Sequence, residues 1–217
     1  KCNNMKDNVF FVSGIDTNVG KSYATGYLAK TWNEQGVRTI TQKFIQTGNV
    51  GMSEDIELHR KIMGTGLLPE DESGLTMPEI FTYPCSPHLA AEIDHRPIDF
   101  DKIEKATRQL SETYDAVLLE GAGGLMVPLT RDLLTIDYVA QKNYPLIFVT
   151  SGKLGSINHT LLSLEAVTRR GIRLHTVAYN LFPEEDDDII RRDTEAYIRD
   201  LLAKEYPETH LVIVPKL

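Results

Sequence analysis

The chain has 217 residues, a net charge of -8 and two cysteines, Cys2 and Cys85. That length suits one α/β domain with a sheet covered by helices on both faces, and two short domains would be cramped. The acidic balance argues against a general nucleic-acid or anionic-membrane binder, and two cysteines without ligand spacing exclude a disulfide framework or a thiolate metal centre. No apolar run approaches the ~20 residues of a membrane span, and the polar start KCNNMKDN lacks a signal-peptide core, so a cytoplasmic protein is expected. Position 1 is Lys; either a first residue is missing or Met5 is the start, and residues 1–4 are left out of the fold reading.

Residues 9–12, VFFV, have the length and β-rich composition of a buried parallel strand. Residues 14–22 follow as GIDTNVGKS, and Tyr23, Ala24, Tyr27, Leu28 and Trp32 then recur at helical spacing. A Gly-rich loop between a strand and a helix N-terminus is the setting of a phosphate-binding loop. Small residues let backbone amides converge on a polyphosphate, the helix start adds its dipole, Lys21 supplies a mobile charge and the Ser22 hydroxyl can face Mg²⁺. Five residues separate Gly14 from Gly20 where the usual pattern has four, so Gly14 can serve the turn more than the phosphate.

Gly36 closes this helix, and residues 37–42 alternate into a second strand ending at Lys43. Ser53, Glu54 and Asp55 open a helix that Gly64 stops after Met63. Residues 65–87 show no period and read as a long surface excursion. Ser86 and Pro87 start a short helix through Ile93, and Asp99 or Asp101 starts another to about Tyr114. Residues 116–119 form a third strand ending at Glu120 and a turn over residues 121–124. Residues 146–150 form a fourth, followed by SGKLG and a helix from about Asn158 to Arg170. Residues 174–179 form a fifth ending at Asn180, the acidic residues 184–188 precede a helix to about Lys204, and residues 211–214 form a last short strand. Alternating strands and helices imply a parallel sheet with ligands beyond the strands' carboxyl ends. Ser13, Lys21, Lys43, Thr47, Glu120, residues 151–158 and Asn180 should then rim one crevice.

Single residues carry less than the pattern. Lys43 reads equally as a solvated strand end, and Asp55 as a complement to the helix dipole or a metal ligand. Glu120, an acid after four apolar residues at a strand end, matches the second acidic motif of nucleotide-hydrolysing folds, where Asp is usual. His88, His95, His175 and His210 show no ligand spacing and read as structural or surface.

VSGIDTNVGKS, QKFIQTG, Asp55, SPHLAAE, LLEGAGGLMVPL, GKLGSINHTLLS and AYN resemble the dethiobiotin synthetase family in order and spacing across almost the whole chain. The resemblance implies a P-loop NTPase-like fold and ATP-dependent closure of a ureido ring on 7,8-diaminononanoate with CO₂, in a homodimer. By that resemblance Asn18, Val19, Gly20, Lys21, Ser22 and Tyr23 wrap the ATP phosphates, with Gly121, Ala122 and Gly123 beside them. Ser22, Asp55 and Glu120 hold Mg²⁺, and Lys21 and Lys43 flank the reacting groups. Thr17 and Thr47 position the diamine, and Asn180, Leu181, Pro215, Lys216 and Leu217 lie along adenine. The segment from Gly155 to Asn158 takes the substrate's distant carboxylate across the dimer interface. Phe44 stands where the family commonly has Pro, and Ser22 where it commonly has Thr. A partition-type ATPase shares the fold, but its signature lysine is missing between Gly14 and Gly20. A cobyrinic-acid-type amidotransferase needs a second domain, and a nucleotide-sensing module would bind ATP without turnover.

Overall fold

The computed structural model describes residues 7–182 and 187–216. In chain order the elements are β1 (Val9–Gly14), α1 (Lys21–Glu34), β2 (Thr39–Lys43), β3 (Gln46–Thr47), α2 (Glu54–Met63), α3 (Pro69–Glu72), β4 (Ile80–Phe81), α4 (Pro87–Ile93), α5 (Phe100–Thr113), β5 (Ala116–Gly124), α6 (Thr135–Lys142), β6 (Leu146–Ser151), α7 (Ser156–Arg169), β7 (Leu174–Asn180), α8 (Asp188–Glu205) and β8 (His210–Val214). Residues 1–4 and Met5, the acids Glu184, Glu185 and Asp186, and Leu217 lie outside the described residues.

Six strands pair in parallel in the order β2-β5-β1-β6-β7-β8. The strands are apolar on both sides because both faces are covered. Phe11, Val117, Leu119, Phe148 and Val177 enter one core, while Val12, Leu118, Ile147 and Ala178 enter the other, which includes Ala24 and Leu28 of α1. The two-residue periodicity of strands thus distributes a continuous apolar run between two cores.

Helix ends follow their local chemistry. The Ser53 hydroxyl accepts from the Ile56 amide to cap α2, and Gly64 ends it in the left-handed region. Asp99 caps α5 by accepting from the Lys102 amide. Gly26, buried in α1, would bring a Cβ to 3.1 Å from Ile62. Its lack of a side chain lets α2 close on α1, which carries Asp55 toward Ser22.

Two expectations are corrected. Residues 65–87 are not a surface excursion: they hold α3 and β4, and Asp71, Thr76, Met77, Glu79 and Phe81 are buried. They escape a periodicity reading because β3 and β4 are two residues each and pair only with one another. The third strand does not turn at Glu120 either. β5 runs on to Gly124, which pairs with Gly14 across a register shift in β1. Helix α6 has no counterpart in the sequence reading.

Candidate active site

The loop after β1 is pressed from both sides. A Cβ on Gly14 would lie 2.7 Å from Val19 Cγ1, so that glycine lets the loop fold back on its own strand. Gly20, with φ of 83°, caps α1 in a backbone region that favours glycine, and a Cβ there would lie 2.1 Å from Asn180 Nδ2. Asn180 is fully buried, and its amide donates to the Val19 carbonyl at 2.9 Å. The Lys21 ammonium donates to the carbonyls of Asp16 and Thr17 at 2.8 and 3.2 Å. Among the described residues no carboxylate forms an ion pair with it. Burial pulls its pKa down to about 8, with Glu120 opposing and Lys43 adding to the fall.

Lys43 and Glu120 are direct partners across β2 and β5. Lys43 Nζ lies 2.8 Å from Glu120 Oε1, 2.5 Å from Asp55 Oδ2 and 3.2 Å from the Gly121 carbonyl. Lys43 is 4% exposed, so the solvated strand-end reading is set aside. Burial alone would lower its pKa, but the charges of Glu120 and Asp55 outweigh it and hold the ammonium above the ordinary lysine value. Burial likewise works against ionised Glu120, and Lys43 and His59 overcome it, holding the carboxyl well below its usual range. Ser22 Oγ lies 2.7 Å from Asp55 Oδ1 and 2.9 Å from Glu120 Oε1, and its single proton can serve only one of them at a time. Phe44, in place of the family's proline, is fully buried against Phe11 and Tyr138, and the Lys43 side chain still reaches Glu120.

A cavity of about 490 Å³ opens on these groups, lined by Thr17, Asn18, Lys21, Ser22, Lys43, Thr47, Asp55, Glu120, Ala122 and Gly123 among others. The remaining sequence-derived residues lie elsewhere. Tyr23 packs against Phe182 with ring centroids 5.6 Å apart, and the Leu181 amide bonds the Val214 carbonyl. Asn180, Leu181, Pro215 and Lys216 therefore gather at the ends of β7 and β8, beyond the loop. Gly155 caps α7, and Asn158 is exposed on it. Ser13, expected on the rim, is fully buried.

The sequence reading missed the layer behind the cavity. His59, fully buried, sets Nε2 2.7 Å from Glu120 Oε2 and Nδ1 3.0 Å from Thr41 Oγ1. Arg60 donates to Thr41 Oγ1 at 2.8 Å and grips both oxygens of Asp71 at 2.8 Å. The i, i+4 spacing of Asp55 and His59 on one helix face was the available signal. Its partner Glu120, however, is supplied by a strand 61 positions later. Cys85 also lines the cavity.

A parallel sheet of this order, with a Gly-Lys-Ser loop between β1 and α1 and acids closing on it, defines a P-loop nucleotide-binding protein. A family model described as an AAA domain matches residues 8–217. In fold the chain is similar to pNOB8 ParA bound to nonspecific DNA, with a TM-score of 0.55 at 12% identity over 97% of this chain and 86% of that one. It is also similar to chloroplast FtsY from Physcomitrella patens, with a TM-score of 0.52 at 17% identity, and spans 62% of that protein. Sequence similarity narrows the class. The chain is 53% identical to the ATP-dependent dethiobiotin synthetase of Pasteurella multocida over 93% of its length and 94% of that protein's. It is 52% identical to that of Chlorobaculum tepidum over 88% of its length and 80% of that protein's. The chain belongs to the ATP-dependent dethiobiotin synthetase family.

Proposed function

We propose that the whole chain works as one domain, an ATP-dependent carbon-nitrogen ligase that closes the ureido ring of dethiobiotin from 7,8-diaminononanoate and CO₂. The observation that carries this reading is the meeting of Lys21, Lys43, Ser22, Asp55 and Glu120 at one cavity, in a chain about half identical to dethiobiotin synthetases. Thr17 and Thr47 position the diamine in the cavity. CO₂ adds to one amine to give a carbamate, whose oxygen takes the γ-phosphoryl group of ATP. The second amine attacks the carbonyl, the ring closes, and phosphate leaves. Phosphoryl transfer rests mainly on positioning and charge stabilisation, so no covalent nucleophile is needed.

The roles follow from charge. Lys21, a buried cation that donates to the carbonyls of Asp16 and Thr17, has its charge to give to phosphate, together with the amides from Asn18 through Tyr23. Lys43, already balanced by two carboxylates, is placed to meet charge as it moves onto the carbamate. Ser22, Asp55 and Glu120 form an all-oxygen set with the chemistry of a Mg²⁺ site. Bound there, Mg²⁺ supplies charge neutralisation for the transferring phosphate. Gly121, Ala122 and Gly123 border the phosphates, and Asn180, Leu181, Pro215 and Lys216 border adenine.

Gly155 and Asn158 serve a neighbouring subunit's substrate. Leu154, just before α7, and Leu162, one turn after Asn158 on it, are 74% and 58% exposed and offer apolar surface to a homodimer. No helix among the described residues is long and apolar enough to cross a membrane, and the reading places the enzyme in the cytoplasm with no nucleic-acid partner. Incubation with Mg-ATP, bicarbonate and the diamine should yield ADP and a product of dethiobiotin's mass. Folded protein that yields neither would sink the reading. ATP binding with no turnover would instead favour the nucleotide-sensing module.

A further inference from the structure

Glu120 does not offer both of its oxygens to the cavity. Oε1 faces Ser22 and Lys43, at 2.9 and 2.8 Å, while Oε2 is taken by His59 Nε2 at 2.7 Å. The direction of that bond follows from its acceptor: as a carboxylate Glu120 can only accept, so His59 carries a proton on Nε2 and donates it to Oε2. At the other ring nitrogen, Nδ1 lies 3.0 Å from Thr41 Oγ1, which also accepts from Arg60 Nη1 and keeps a proton of its own to give. Thr41 is in turn fixed by β2, and Arg60 is fixed by its two-pronged bond to Asp71. The imidazole is therefore held at both ring nitrogens.

This deepens, and rests on, the proposed role of Glu120 as a Mg²⁺ ligand. We infer that His59 is a positioning residue that makes Glu120 a one-oxygen ligand and so selects Mg²⁺ over Ca²⁺. Mg²⁺ requires compact octahedral geometry, whereas Ca²⁺ takes more oxygens and readily accepts a carboxylate through both. A glutamate whose second oxygen is occupied by an imidazole N–H can satisfy the first ion and under-coordinates the second. The groups behind a metal ligand typically change metal affinity by about 10–100-fold when removed.

The test titrates Mn²⁺, followed by its electron paramagnetic resonance, into protein saturated with a non-hydrolysable ATP analogue, then competes it with Mg²⁺ or Ca²⁺. His59→Leu frees Oε2 and should weaken Mg²⁺ binding by about tenfold or more while moving the Ca²⁺/Mg²⁺ preference toward Ca²⁺. His59→Gln, which keeps an N–H donor, should restore much of the preference. A melting curve on each variant separates this from loss of fold, because a merely structural histidine would lower Tm and leave the ratio alone. If His59→Leu does not fold, Thr41→Val decides. It leaves the ring in place without the hydroxyl that holds Nδ1 and should move the ratio the same way. An unchanged ratio in the folded variant overturns the inference while the Mg²⁺ site stands. Wild-type protein that binds nucleotide and takes up no Mn²⁺ overturns the Mg²⁺ site and the inference with it.

Discussion

At the scale of single residues the site is a balance of two lysines and two carboxylates whose burdens differ. Lys43 is neutralised by Glu120 and Asp55, and among the described residues no carboxylate forms an ion pair with Lys21. Replacing Lys43 with Gln keeps a hydrogen-bond donor beside Glu120 and removes the charge. Turnover is expected to fall by on the order of 10²–10³, the usual loss for one preorganised electrostatic donor, with ATP affinity nearly intact because Lys21 and the loop remain. Measuring kcat beside nucleotide affinity checks this, and near-normal kcat would reduce Lys43 to a counter-ion for Glu120. Glu120→Gln, whose one amide oxygen can accept from Lys43 or from His59 but not from both sides, should raise the Mg²⁺ concentration needed for half-maximal activity in protein that a melting curve shows to be folded. An unchanged metal requirement would remove Glu120 from the ion's ligands.

At the scale of elements, the clamp between α2 and α3 supports the site. Asp71 is buried and accepts from Arg60 twice, from Thr76 at 2.6 Å and from the Leu68 amide at 2.8 Å. Burial pushes its pKa up, but these bonds prevail and hold it below the ordinary aspartate value. A depressed native pKa means stability that is complete above the unfolded value of about 3.9 and is lost as pH falls through the native one. Asp71→Asn leaves Arg60 buried without its counter-charge and should cost about 3–5 kcal/mol near neutrality, with a shallower loss of stability in acid. Urea titrations at neutral and acid pH measure both. The joint change Arg60→Met with Asp71→Leu should cost less than Asp71→Asn alone, because no charge is stranded. This clamp is also where sequence reading stopped. The six long strands and the capped helices were legible, since apolar runs and Ser, Asp, Gly punctuation act within a few residues. α3, α6, β3 and β4 were not: α3, β3 and β4 are too short to carry a period, and α6 has no side-chain cap to mark its start. Lys43 and Asp55 had two readings each until β5 brought Glu120 between them. His59 had none, because its only signal was its spacing from Asp55.

At the scale of the whole molecule, a site shared between subunits would make dimerisation a condition of turnover. Mixing an Asn158 variant with a Lys21 variant tests this, because each hybrid would hold one site with neither defect. Activity above that of either parent, after subunit exchange is verified, is the expected result; none would leave each subunit self-sufficient. The strand order carries a separate consequence. β1 and β2 do not pair with each other, and each waits for β5, which begins at Ala116. Lys43 and Glu120 are 77 positions apart. At roughly 5–20 residues per second, a ribosome leaves β2 without its neighbour for on the order of 4–15 s. Throughout that interval two buried-type strands emerge with open edges, a hazard for aggregation and an invitation to chaperones. A chain ended after Asp115 should show no cooperative melting and no hydrogen-exchange protection over residues 9–14 and 39–43. Protection there would mean that an early nucleus forms without the central strand. Otherwise nucleotide cannot assist the nascent chain through Glu120, since that carboxylate is synthesised after the loop, both lysines and Asp55.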